Sequence, residues 1–251
     1  MSERKNSRLE GKAALVTGGS RSLGAAIATR LAADGAKVAI TYNASPGKAE
    51  EVVRALEKSG GTGLAIQADA ADPQAVREAV AKTVAAFGGI DILVNNAGVL
   101  AIGPIEQFSL EDFDRMIAVN VRGLFVATQE AARHMREGGR IIHIGSCNSD
   151  HISFAGGSVY ALTKGAVAAF TKGLARDLGP RGITVNNVQP GPTDTDMNPA
   201  AGPFAESTRP HIALQRYARP EEIASFVAYL ASPEAGYITG ASLLADGGYA
   251  A

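Results

Sequence analysis

Apolar and polar positions alternate along this chain in two registers. Short apolar runs bounded by Gly, Asp or Asn fall at 13–17, 38–41, 64–67, 90–95, 140–145, 184–189 and 242–244, and predict seven strands. Between them the stretches 23–34, 48–59, 73–87, 110–137, 158–178 and 220–230 carry apolar residues at helical spacing. Start and stop signals support several of these. Asp72 before Pro73 reads as an N-cap with proline in the first turn, and Ser109 with Asp112 resembles a capping box. Gly35, Gly60 and Gly179 stand where a helix ends on a left-handed residue. Strand and helix alternate with no long linker, so the pattern predicts one α/β domain over 11–251, built on a doubly wound parallel sheet with helices on both faces. Residues 1–10 hold Leu9 as their apolar anchor and read as a flexible tail. The segment 194–217, interrupted by Pro199, Pro203 and Pro210, reads as a flap over a ligand site.

Composition narrows the function classes. Of 251 residues, 46% are hydrophobic and 20% charged, which suits a folded globular chain. Lys and Arg number 24 against 25 for Asp and Glu, so the net charge of -1 supplies no field to gather nucleic acid or anionic lipid. No stretch approaches the roughly 18 uninterrupted apolar residues of a membrane span. Cys147 is the one cysteine and there are four histidines, which leaves no metal cluster and points to a reducing, cytoplasmic setting. Beside Ser146, Cys147 reads as a buried structural thiol.

The chemistry begins after the first strand, at Thr17-Gly18-Gly19-Ser20-Arg21-Ser22-Leu23-Gly24. Glycines at a strand-to-helix turn let the backbone approach a pyrophosphate, and the helix N-terminus supplies donors and a favourable dipole end. Further along come Asp69, Asn95-Asn96-Ala97-Gly98, Asn120, Ser146, Tyr160 with Lys164, Pro190-Gly191 with Thr193, and Asp246-Gly247-Gly248. This ordered set, spanning roughly 12–248, resembles the short-chain dehydrogenase/reductase family, particularly its 3-oxoacyl-(acyl-carrier-protein) reductase-like members, with a Rossmann-type fold. Ser22 departs from the family pattern, standing where the middle glycine of the turn is usual.

The resemblance implies that Gly18, Ser20 to Gly24, Asp69 with Ala70, Asn96 to Gly98, Pro190, Gly191 and Thr193 contact a nicotinamide dinucleotide. It implies too that Lys164 holds the nicotinamide ribose and that Asn120 holds a water leading from Lys164 to solvent. At the end of the second strand, Tyr42-Asn43-Ala44-Ser45 lacks the carboxylate that would hold the ribose hydroxyls of NAD, and Arg21 can meet a 2′-phosphate. NADPH is therefore the expected cofactor, with NAD as the alternative.

Tyr160 and Lys164, four residues apart on a helix, share one face. A nearby ammonium favours a phenolate, so the pair predicts a tyrosine more acidic than the ordinary value of about 10. Ser146, following the fifth strand, can donate to a carbonyl oxygen beside Tyr160. Asn148, Ile152 and Met197, with His151, Phe154 and Phe204, are expected to line the substrate pocket. The expected activity is reduction of a ketone or 3-oxoacyl carbonyl to a secondary alcohol. The alternatives are an NAD-dependent polyol, sugar or alcohol dehydrogenase, and a non-catalytic dinucleotide sensor. The helix bearing Tyr160 is apolar around more of its girth than one sheet face covers, and family members are commonly tetramers, so a homo-oligomer is expected.

Overall fold

A computed structural model describes residues 8–251. Its seven strands are β1 (Ala13–Val16), β2 (Lys37–Tyr42), β3 (Thr62–Gln67), β4 (Ile92–Asn95), β5 (Arg140–Ile144), β6 (Thr184–Pro190) and β7 (Ser242–Ala245). They form one sheet in the order β3-β2-β1-β4-β5-β6-β7, every neighbour parallel. Successive strand residues supply opposite faces. In β1, Ala14 and Val16 enter one apolar layer while Leu15 enters the other, and in β5 Ile142 and Ile144 oppose Ile141 in the same way.

The first layer is closed by α1 (Ser22–Ala33), α2 (Pro46–Lys58) and α8 (Pro220–Ala231), through residues such as Ile27, Leu31, Leu56 and Val227. The second is closed by α3 (Pro73–Phe87), α5 (Leu124–His134) and α6 (Ser158–Leu178), through Val76, Val80, Val126 and Leu178. Parallel strands buried on both sides need this double cover, which is the doubly wound arrangement the alternation predicted.

Three local features depart from the sequence reading. Leu9 is fully buried in the first layer and its N–H donates to the Asp34 carbonyl at 2.8 Å, so the chain is anchored before residue 11. The rest of the expected tail, residues 1–7, lies outside the described residues. The expected helix at 110–137 is α4 (Leu110–Met116), a π-helical turn at Ile117–Gly123, and α5, which ends at His134. The widened turn turns Asn120 inward, and Gly123 lets it rest on the loop after β3. A Cβ at Gly123 would lie 2.1 Å from the Ala70 carbonyl oxygen. Finally, the Pro-rich segment contains a short helix, α7 (Ala205–Thr208), and buries Ala205, Ile212 and Tyr217 against Cys147 and Tyr249. Proline stops a long helix there but leaves room for one turn.

Strand order reverses between β1 and β4, both leaving the sheet at its carboxyl edge. That divergence opens the crevice in which the candidate residues collect.

Candidate active site

The glycine turn after β1 is held by its neighbours. Asn96 and Ala97 donate their backbone N–H groups to Thr17 Oγ1, each at 3.0 Å, and Asn96 Nδ2 donates to the carbonyls of Thr17 and Gly18 at 2.9 and 3.0 Å. From the other side Thr41 Oγ1 accepts from Gly18 N–H at 2.9 Å. Two glycines are required by space. A Cβ on Gly24 would lie 2.3 Å from the Gly18 carbonyl oxygen and 2.6 Å from Asn96 Nδ2, and one on Gly18, at φ +64°, would press on the Ala97 backbone. Thus Asn96 and Ala97, expected as ligand contacts, visibly serve to shape the turn. Thr17, quoted as the motif's first residue but given no role, organises it.

Asn95 points the other way. Its Nδ2 lies 3.0 Å from Thr128 Oγ1 and 3.1 Å from Nδ1 of His143, a histidine the sequence reading left unremarked. Burial first, then the charge of Lys164, push His143 down to about 3, so it is neutral at any working pH.

The first turn of α1 carries no acidic residue, and its N-cap Arg21 makes no side-chain capping bond, which leaves the helix end suited to an anion. Asn43 and Ala44 are exposed at the end of β2, beside half-buried Tyr42 and Ser45, with no carboxylate among them. Lys48, in the first turn of α2, adds a second cation near Arg21: both reach Oδ2 of Asp196, at 3.7 and 3.4 Å. Lys48 was missed because in sequence it is only one exposed lysine of an amphipathic helix. Asp69 accepts from Ala71 N–H at 2.8 Å and from Arg115 Nη1 at 3.3 Å. Burial raises its pKa, but these two donors outweigh that and hold it below the usual carboxylate value.

At the centre of the crevice, α6 brings Tyr160 and Lys164 together, with Lys164 Nζ 5.6 Å from the Tyr160 ring centroid. Lys164 is buried, and its Nζ donates to the Ile144 carbonyl at 2.9 Å. Burial lowers its pKa to about 8. The expectation that Lys164 would make Tyr160 more acidic is not met. Burial pushes the phenol up to about 12, with the neighbouring Ser146 hydroxyl pulling in the opposite direction. The reason is geometric: the ammonium faces the ring and the β5 carbonyl, and desolvation dominates.

Ser146 caps the short turn Cys147–Ser149, its Oγ accepting from Asn148 N–H at 3.1 Å. That bond occupies a lone pair and leaves the hydroxyl proton free to donate. Burial, and then the charge of Asp246, raise the Cys147 thiol to about 11, which makes it unreactive.

Asn120 is buried at the π turn. Its Oδ1 accepts from Val99 N–H at 2.8 Å, while Nδ2 donates to the Val99 carbonyl at 2.9 Å and to Thr163 Oγ1 at 3.2 Å. A Cβ on Gly98 would touch both Asn120 Oδ1 and Lys164 Nζ, so the two side chains flank one point of the backbone.

After β6, a Cβ on Gly191 would lie 2.6 Å from Asp246 Cα, which locks Pro190-Gly191 against Asp246-Gly247-Gly248. Thr193 is buried, its Oγ1 donating to the Gly191 carbonyl at 2.9 Å. Of the expected pocket residues, Asn148 is half-buried, whereas Ile152, Phe154, Met197 and Phe204 are exposed apolar side chains. The His151 ring stands edge-on to Tyr249, a residue the sequence reading did not single out.

A family model described as enoyl-(acyl carrier protein) reductase matches residues 18–250. A short-chain dehydrogenase/reductase of Serratia marcescens is similar at 60% identity and TM-score 0.96, covering 97% of this chain and all of that one. A short chain dehydrogenase from Burkholderia cenocepacia, solved in complex with NADP, shares 55% identity and TM-score 0.96 over the same shares. The cyclic-di-GMP-binding biofilm dispersal mediator protein of Escherichia coli is 46% identical over 241 residues, 96% of this chain and 98% of its own length.

Proposed function

The chain belongs to the short-chain dehydrogenase/reductase family, and from that premise we propose that it is an NADPH-dependent reductase of ketone-type carbonyls. The observation that carries the reading is the convergence of Ser146, Tyr160 and Lys164 at the carboxyl edge of the sheet, with Lys164 Nζ 5.6 Å from the Tyr160 ring centroid, beside a glycine turn flanked by Arg21 and Lys48. Burial keeps Tyr160 protonated, so it enters reduction as the proton donor to the developing alkoxide, and the same group would serve as base in the reverse reaction.

The residues present fit the cofactor. The glycine cradle that no Cβ could enter and the uncapped start of α1 suit the pyrophosphate. The absence of a carboxylate at 42–45, together with Arg21 and Lys48, suits a 2′-phosphate. Asp69 with Ala70 would flank the adenine, Asn96 to Gly98 the adenosine half, and Pro190, Gly191 and Thr193 the nicotinamide, whose ribose Tyr160 and Lys164 would hold. The nearby relative solved with NADP supports this choice over NAD. When bound, the cofactor supplies hydride. Ser146 donates its free hydroxyl proton to the substrate oxygen and orients it, and Tyr160 delivers the proton that completes the alcohol. Lys164 restores the Tyr160 proton through the polar path that Asn120 borders.

The substrate body rests on an apolar lip. Ile152 and Phe154 lie against Gly157 and Ile102 against Gly156, just before the helix bearing Tyr160, with Met197 and Phe204 also exposed. This supports an apolar ketone over a sugar or polyol. A carrier-bound 3-oxoacyl group has less support, because Arg133 is paired with Glu130 and Arg181 is bound to the carbonyls of Ala132 and Met135.

The enzyme works as a homo-oligomer, a tetramer as in its family. The apolar groove formed by Ile117, Val121, Leu124, Phe125, Ala166 and Phe170 is the face a second copy would cover. The single, buried thiol suits the cytoplasm. No described helix is long and apolar enough to cross a membrane.

NADPH consumption against a panel of apolar ketones and sugars, repeated with NADH, together with NAD reduction against a panel of polyols, tests the reading. Faster turnover of apolar ketones with NADPH supports it, and a preference for NAD-linked polyol oxidation refutes it. A dinucleotide-sensing role is the second reading, favoured by the Escherichia coli relative. Its support would be cyclic-di-GMP binding with no turnover of any carbonyl.

A further inference from the structure

At the start of the 194–217 segment the chain turns sharply back. Thr195 and Asn198 exchange backbone hydrogen bonds at 3.3 and 3.1 Å, which places Asp196 and Met197 at the corner. The base is pinned where Asp194 N–H donates to the Ala218 carbonyl and Ala218 N–H to that of Pro192, both at 2.9 Å. The corner itself is tied to the cofactor turn. Asp196 N–H donates to Ser22 Oγ at 3.1 Å, and Asp196 Oδ2 lies 3.4 Å from Arg21 Nη1 and 3.7 Å from Lys48 Nζ.

This gives Ser22 a reason to be there. It stands at φ +47°, a left-handed conformation that glycine adopts without strain, yet glycine would have no hydroxyl for Asp196. Asp196 is also the carboxylate that Arg21 and Lys48 meet among the described residues, and all three side chains are more than half exposed. Such contacts are weak in water. A phosphate monoester, with up to two charges and three acceptor oxygens, outcompetes a carboxylate for the same cations.

Resting on the NADPH reading, we infer that Asp196 is a specificity-determining residue: its carboxylate competes with the cofactor 2′-phosphate for Arg21 and Lys48. Phosphate binding then frees the corner that carries Met197. One turn of chain thereby links the 2′-phosphate to an apolar side chain expected on the substrate side.

The test is equilibrium binding of two probes, 2′,5′-ADP and 5′-AMP, to the full-length protein and to D196N. Asparagine keeps the backbone N–H to Ser22 and removes only the charge, at an exposed position. D196N should bind 2′,5′-ADP about three- to tenfold more tightly and 5′-AMP within about twofold of the parent. Hydrogen exchange supplies the second readout: 2′,5′-ADP should speed exchange across 194–200 in the parent, and 5′-AMP should not. Weaker or unchanged binding of 2′,5′-ADP by D196N, or slower exchange with that probe, overturns the inference and leaves the NADPH reading standing. A parent protein that binds both probes equally removes the NADPH reading and the inference with it.

Discussion

Replacing Lys164 by Met should reveal a stability cost built into the site. Lys164 is 6% exposed, and burial lowers its pKa from 10.5 to about 8. Between those values the native state releases the proton before the unfolded chain does, so stability climbs as pH rises through that window. Below pH 8 both states are protonated and the whole cost is present. The gap corresponds to about 3 kcal/mol at pH 7. Methionine removes it but leaves the Ile144 carbonyl without the donor it has at 2.9 Å, which returns roughly 1–3 kcal/mol. At pH 7 the variant should therefore be about 1 kcal/mol more stable, worth roughly 2–4 °C in Tm for a chain of this size. The sharper readout is the pH dependence, since the variant's advantage should fall by about 2 kcal/mol between pH 7 and pH 9.5, reversing its sign. Urea unfolding of both proteins at the two pH values, at one protein concentration, measures it. A difference that stays constant, or grows with pH, would show that Lys164 is not held at a cost and would refute the desolvation argument.

Three further outcomes follow from the geometry. Gly24→Ala puts a Cβ 2.3 Å from the Gly18 carbonyl oxygen, so the turn must open, and NADPH affinity by fluorescence titration should fall at least about tenfold with little change in fold by circular dichroism. Ser146→Ala removes the oxygen-orienting donor and leaves Tyr160, so kcat should drop by about 100-fold with NADPH binding unchanged. Because Tyr160 is neutral until about pH 12, oxidation of the product alcohol with NADP should keep accelerating from pH 7 to pH 10. A plateau near neutrality would contradict that assignment.

Much of this was legible in the sequence because it rests on local pattern. Seven largely apolar runs gave seven strands, since a strand buried on both faces is mostly apolar, as 13–16 and 38–40 show. The i, i+4 pairing of Tyr160 and Lys164 needed only a helix. What escaped depends on distant segments meeting. The acidity expected of Tyr160 failed because burial of the phenol raises its pKa while Lys164 Nζ spends a donor on the Ile144 carbonyl, and no spacing rule encodes desolvation. Asn120 stands out in the sequence as a helix-competing residue within 110–137, but the π turn itself depends on the Val99 backbone and the Ala70 carbonyl, which no local pattern announces. Leu9 was taken for a loose end because one apolar residue among polar neighbours does not announce the pocket it fills. Lys48 and Asp196 each read as an ordinary exposed charge, and their meeting joins segments 148 residues apart.

The account stands on Tyr160 as the proton donor to a reduced carbonyl. The direct test is single-turnover oxidation of bound NADPH by an active ketone, compared between the parent and Tyr160→Phe, with NADPH affinity measured in parallel. The account predicts binding within about threefold of the parent and a rate lowered by at least about 100-fold, the range of general-acid contributions. A phenylalanine variant that reduces the ketone within tenfold of the parent rate would contradict it.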